Sequence, residues 1–264
     1  MKPLVDFPLA ARAAIRGVLC DIDNTLSSEG RITAEAYGAM QRLQQAGLLV
    51  IPVTGRPAGW CDHIARMWPV DGVVGENGAF YFRYDTTARK MQRHFADDAD
   101  TRAHHRARLA QIGRDIIQAV PGAAIAADQP YRETDLAIDF CEDVSPLAQA
   151  AIDDIAARKV QHGLTTRVSS IHVNGWFGHY DKLSMSKILL REAFAVDLDA
   201  VREHYVFVGD SPNDASMFGY FPHAVGVANV ADFGARVKHL PAYITRLRCG
   251  AGFVETAAWL LAQK

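Results

Sequence analysis

The stretch GVLCDIDNTLSSEGRIT, residues 17–33, decides the fold. An apolar run, Val18-Leu19-Cys20, leads straight into two acids, Asp21 and Asp23, and then into a Ser/Gly loop. Asp and Asn are good turn formers, which accounts for Asn24. It does not account for two carboxylates against a buried strand, where desolvation is penalised unless a cation or hydrogen-bond donors compensate. Residues two apart on an extended backbone point the same way, so both acids can face one ligand.

Working outward, short apolar runs at 15–20, 48–53, 72–74, 205–208 and 224–227 lack in/out alternation. That texture predicts parallel strands covered on both faces. Helical patterns lie between them at 33–45, 57–67 and 183–194, the first ended by Gly47. The βαβ alternation predicts an open, doubly wound α/β sheet, in which ligands bind beyond the carboxyl ends of the strands. Asp21, Thr54 and Asp210 each follow such a strand. The middle differs: a His/Arg-rich helix at 101–119, the strand-like DLAIDF, a helix at 146–162 and the strand-like TTRVSSIHV. We read an α+β unit at 86–180, inserted into a core made of 1–85 and 181–264.

Composition sets the class. The 264 residues are 49% hydrophobic and 22% charged, with a formal net charge of −2. No bulk electrostatic attraction to nucleic acid or an anionic membrane follows. No apolar stretch approaches the roughly 20 residues of a membrane span. Cys20, Cys61, Cys141 and Cys249 are scattered, which argues against structural zinc and for reduced thiols. With no secretory pattern at the N-terminus, a cytoplasmic protein is expected.

Three further motifs face the same strand ends. VIPVTGRPAGW (50–60) places a hydroxyl, a glycine amide and a helix N-terminus together, an arrangement suited to an anion. YVFVGDSPNDASMFGYF (205–221) delivers Asp210 and, after a turn, Asp214, a spacing that suits a hard cation such as magnesium. WFGHYDKLSMSKILLREAF (176–194) offers Lys182 at a helix start and Lys187 more than a turn later. A strand and turn, SSIHVNGWFGHY (169–180), closes the insert. His172, Asn174 and Trp176 there can bond or stack a small polar ligand, although each also fits an ordinary strand.

Taken together, these motifs resemble the haloacid dehalogenase superfamily of phosphotransferases. DIDNTL is similar to its DxDxT signature, VTGR to its Thr motif, Lys182 to its lysine and GDSPND to its acidic motif, all in the family's order. GVVGENGA (72–79) further resembles the Cof-type, or IIB, branch, whose insert is a type 2 cap. In that branch the lysine usually stands where Lys187 does, whereas HYDK resembles the WDK of the phosphomannomutase relatives; we assign Lys182. The resemblance implies Asp21 as nucleophile and Asp23 as general acid/base, with Thr54 and Lys182 completing the catalytic set. It implies Mg²⁺ held by Asp21, Asp23 (through its backbone carbonyl), Asp210 and Asp214. The substrate-binding candidates are Thr54, Gly55, Arg56, Asn77, His172, Asn174, Lys182 and Asn213. The expected activity is hydrolysis of a small phosphorylated metabolite, a sugar phosphate, by a monomer or homodimer with no nucleic-acid or membrane partner. A phosphomutase and a non-enzymatic metabolite-binding protein are the alternatives.

Overall fold

The computed structural model describes residues 1–262. Six parallel strands form the main sheet, in the order Lys2–Pro3, Tyr243–Ile244, Val225–Gly226, Tyr205–Gly209, Gly17–Cys20 and Leu49–Pro52. Alternate residues feed two apolar clusters. Val18, Cys20, Val50, Val206 and Val208 join one, with residues of helices Ala34–Gln45, Ala58–Met67 and Cys249–Leu261. Leu19, Ile51 and Phe207 join the other, with residues of helices Lys182–Phe194 and Ala215–Tyr220. Every side chain of the central strands is therefore buried, which is why the sequence shows runs rather than alternation. The fold is the expected doubly wound α/β sheet.

Gly17–Cys20 lies between Tyr205–Gly209 and Leu49–Pro52, so chain segments far apart in sequence meet at its carboxyl end. The run at 72–74 differs from expectation. Strand Val73–Gly75 touches the main sheet through the single parallel bridge Val53↔Val74 and otherwise starts an antiparallel sheet with Phe80–Asp85 and Lys90–Phe95. Met91 and Phe95 pack on the first cluster of the outer segments, so 90–95 extends the core rather than opening the insert.

The insert carries its own antiparallel sheet, in the order Thr165–Val168, His172–Trp176, Asp135–Asp139 and Ala124–Ile125. Here the strands do alternate. Leu136, Ile138 and Val173 meet Leu109, Ile112, Ile116, Ile152 and Ile155 of helices Ala99–Ala119 and Gln149–Gln161 in a third apolar cluster. The alternate residues Asp135, Asp139, His172 and Asn174 share the opposite face. TTRVSSIHV, read as one strand, is a hairpin: Ser169 Oγ accepts from the amides of Ile171 and His172 and turns the chain.

A buried carboxylate joins insert to core. Glu76 accepts from the amides of Ala58 (2.9 Å), Glu133 (2.9 Å) and Thr134 (2.7 Å) and from the Thr134 hydroxyl (2.5 Å). Burial pushes its pKa up to about 7, with Asp135 adding to the rise and Arg132 opposing it. Arg132 spans the same junction, donating to Asp128, to Asp135 and to the Gly55 carbonyl. A buried donor left without its acceptor costs roughly 1–3 kcal/mol. Glu76→Ala is therefore expected to lower the unfolding free energy by about 3–5 kcal/mol in urea titration. A loss below about 1 kcal/mol would remove Glu76 from that role.

Candidate active site

Three carboxylates converge where the central strands end. Asp21 follows Gly17–Cys20, its amide donating to the Val208 carbonyl at 2.9 Å. Asp210 follows Tyr205–Gly209, and the Ser211-Pro212-Asn213-Asp214 turn brings Asp214 back so that its Oδ2 accepts from the Asp210 amide at 3.0 Å. One oxygen from each of Asp21, Asp210 and Asp214 lies within 4.8 Å of the others. Lys182 Nζ donates to Asp21 Oδ1 at 2.7 Å and to Asp214 Oδ1 at 2.8 Å. Burial alone would lower the lysine pKa, but these two carboxylates outweigh it and keep the ammonium charged. Burial pushes Asp21 up to about 7 despite Lys182, with Asp214 and Asp23 adding to the rise. Asp210 is also raised by burial, then by Asp21 and Asp214. Asn229 Nδ2 donates to Asp210 Oδ2 at 3.1 Å, and Asp210 Oδ1 is buried without a hydrogen-bond partner. An orphaned carboxylate oxygen among three acids and one lysine fits a hard divalent cation.

Lys182 reaches this point because its helix starts there. Asp181 caps it, accepting from Ser184 N at 2.8 Å while Ser184 Oγ accepts from the Asp181 amide at 2.9 Å. Gly78, at φ 108°, packs against the same spot, and a Cβ there would lie 2.0 Å from the Asp181 carbonyl oxygen. Only glycine permits that approach.

The second acid meets an arginine. Arg56 Nε and Nη2 donate to the Asp23 carboxylate at 2.7–3.0 Å. From the insert, Glu142 receives Arg56 Nη2 at 2.5 Å and Nη1 at 3.2 Å, and Asp128 lies 3.4 Å from Nη1. His172 Nε2 stands 2.9 Å from Glu142 Oε2, the oxygen that Arg56 Nη1 also reaches, without hydrogen-bond alignment. Burial would raise the Glu142 pKa, but His172 and Arg56 outweigh it and pull it down to about 2.

Comparison with known proteins points the same way as the sequence motifs. Residues 18–111 match the haloacid dehalogenase-like hydrolases. A phosphoglycolate phosphatase of Haloarcula marismortui is 29% identical over 91% of this chain and 95% of its own. One of Methanosarcina mazei is 25% identical over 93% and 96%. The C-terminal domain of C. albicans trehalose-6-phosphate phosphatase superposes with a TM-score of 0.72 at 14% identity over 100% of both chains, a likeness of fold. The chain is thus similar to the haloacid dehalogenase-like hydrolases over residues 18–111, and to phosphoglycolate phosphatases over more than nine-tenths of its length. It is an enzyme, a phosphoric monoester hydrolase.

In this hydrolase a narrow pocket is lined by Asp21, Asp23, Gly55, Arg56, His172, Asn174 and Asn213, together with Ser169–Ile171 and Ser211. Some of the expected residues sit as the sequence suggested, Asp23 and Lys187 among them, and others do not. The Asp23 carboxylate belongs to Arg56 and lies outside the three-acid group, so only its backbone carbonyl is left to meet a metal. Arg56 is occupied by acids rather than free for substrate. The Thr54 hydroxyl is buried and accepts from the Arg56 amide at 3.0 Å. Asn77, at φ 56°, is buried behind Gly55 and does not line the pocket. Asn174 Nδ2 donates to Asp135 at 2.8 Å, and Asn213 Oδ1 accepts from Ser211. Trp176 is fully buried and stacks on Tyr180, out of reach of a ligand. Lys187 pairs with Asp199 at the surface.

Glu142, Asp128, Arg132, Glu76 and Asn229 were not foreseen. Glu142 carried a signal all the same: DLAIDFCED ends a buried strand in acids, as GVLCDID does. Removing one partner of a buried ion pair costs about 3–5 kcal/mol, whereas an exposed pair is worth about 0–1. Lys182→Met should therefore lower stability severalfold more than Lys187→Met in urea unfolding. Equal effects would contradict the difference in burial.

Proposed function

We propose that the chain is a magnesium-dependent phosphatase that hydrolyses a small sugar phosphate through an aspartyl-phosphate on Asp21. The observation that carries this reading is Lys182 held between Asp21 and Asp214, with Asp210 presenting an unpartnered oxygen beside them. Three carboxylates against one ammonium leave an excess of negative charge where a phosphate dianion must arrive. Two unit charges 4 Å apart cost about 4 kcal/mol at an effective dielectric near 20. Asp21, Asp210, Asp214 and the Asp23 carbonyl would hold a magnesium ion, which offsets that repulsion and polarises the phosphoryl oxygens.

The chain's own groups then divide the work. Asp21 attacks phosphorus, the bond from phosphorus to the ester oxygen breaks, and Asp23 gives its proton to the leaving alkoxide. Asp23 next takes a proton from water, which attacks phosphorus, releases inorganic phosphate and restores Asp21. Lys182 steadies the developing charge on the phosphoryl oxygens, with the Gly55 amide as a further donor. The insert, resting on the site through Glu76, Arg132 and Glu142, excludes water and supplies the leaving-group wall.

The names of the curated relatives favour phosphoglycolate as a second substrate reading. A phosphomutase would need a bisphosphate and would keep water from the acyl phosphate; phosphate release without an activator separates the two.

Asp21→Asn should abolish turnover while the far-ultraviolet circular dichroism stays unchanged. Retention of a tenth of wild-type kcat would remove Asp21 from the nucleophile role. Chelation should stop the reaction and added Mg²⁺ restore it; full activity after exhaustive chelation would overturn the metal assignment. Lys182→Ala should cost about 2–4 kcal/mol in kcat/KM, as expected for loss of a preorganised donor, and Lys187→Ala almost nothing.

A further inference from the structure

Beside the phosphate pocket, and sharing Asp23 and Arg56 with it, is a cavity of about 290 Å³ lined also by Asn24, Ser27, Glu29 and Glu142. Its charged lining is three carboxylates and one guanidinium. That guanidinium is already committed: Arg56 is bonded to Asp23, to Glu142 and to Asp128. No cation is left to receive a second anion, while carboxylate oxygens and the Ser27 and Asn24 groups suit hydroxyls. Glu142 is the member that comes from the insert. Its backbone is fixed, with its amide donating to Asp139 Oδ1 at 2.8 Å, and its carboxylate is held between Arg56 and His172.

We propose that Glu142 is the specificity-determining residue of this cavity: it accepts hydroxyls of a neutral, polyhydroxylated leaving group and repels one that carries a second negative charge. The inference rests on the phosphatase reading and refines its substrate class. A carboxylated phosphate ester would have to displace Glu142 from Arg56, or sit beside it unpaired. A sugar phosphate meets neither obstacle. Like charges brought together at a binding surface discriminate between partners, which is how a single acid can select by exclusion.

The test is calorimetric and does not depend on turnover. Asp21→Asn protein in Mg²⁺ buffer is titrated with 2-phosphoglycolate, glucose 6-phosphate and inorganic phosphate, with and without Glu142→Gln. Glu142→Gln should tighten phosphoglycolate at least tenfold relative to inorganic phosphate and weaken glucose 6-phosphate. Glu142→Asp, which keeps the charge, should still reject phosphoglycolate. If Glu142→Gln leaves the ratio of phosphoglycolate to inorganic phosphate unchanged, or weakens every ligand together as simple loosening of the insert would, the proposal is overturned. Failure of the wild-type enzyme to release phosphate from any of these esters would instead overturn the phosphatase reading, and the binding ratios would still judge Glu142.

Discussion

Lys182 between Asp21 and Asp214 is the contact on which the rest depends. Two of its partners stand at the ends of adjacent parallel strands or the turn after them, and both are buried. Without the ammonium, three neighbouring carboxylates would face one another in a low-dielectric pocket, which folding cannot sustain in ionised form. Much of the local structure exists to bring that nitrogen there. The Asp181–Ser184 capping box starts the helix at residue 182, and the glycine at 78 lets the loop after Val73–Gly75 close against it. The strand pairing of Gly17–Cys20 with Tyr205–Gly209 sets the separation of Asp21 from Asp210.

A second chain of charge, buried at Arg56, Asp128 and Arg132, runs the other way, from Asp23 through Arg56 to Glu142 and Asp128, and from Asp128 through Arg132 to the Gly55 carbonyl. It begins just beyond Gly17–Cys20, at Asp23, and passes twice through the strand–turn–helix segment of Thr54, Gly55 and Arg56, at Arg56 and at its end on Gly55. The insert is thus fastened to the same turn that faces the phosphate pocket, and its position cannot change without altering what surrounds Arg56. Polar junctions of this kind contribute little net stability but specify one arrangement, because any other leaves charges unpaired. An apolar junction would have tolerated sliding.

Much of this was legible in the sequence because buried parallel strands and helices have different periods. The runs ending in Asp21 and Asp210 and the helices after Thr33 and Pro57 lie within a residue or two of their expected bounds. Two-residue strands such as Tyr243–Ile244 leave no periodic signal, and the hairpin Phe80–Asp85/Lys90–Phe95 was hidden by its polar second strand. Lys182 was distinguishable from Lys187 because a helix start points at the strand ends and a residue five further on does not. Trp176 misled for a specific reason. In HVNGW it shares a strand face with His172 and Asn174, but only the first two lie over the pocket; the third is covered by Tyr180.

Glu142 was missed because the residues that explain it are remote in sequence: Arg56 lies 86 positions away. Read alone, FCEDVSP is a polar turn. Its meaning appears only when the insert's sheet presents the end of Asp135–Asp139 to the turn that bears Arg56. The two acidic strand ends then meet face to face and are resolved differently. At Asp21 the excess of carboxylate over ammonium remains, which the proposed cation would offset on the arrival of a phosphate. At Glu142 the protein's own arginine is already taken up by acids, so the room beside it has hydrogen-bond acceptors to offer and no cation to spare. A phosphate end that calls for cations and a leaving-group end that has none free impose opposite demands on one small molecule. On the proposed reading, a phosphate ester of a neutral polyol would meet both.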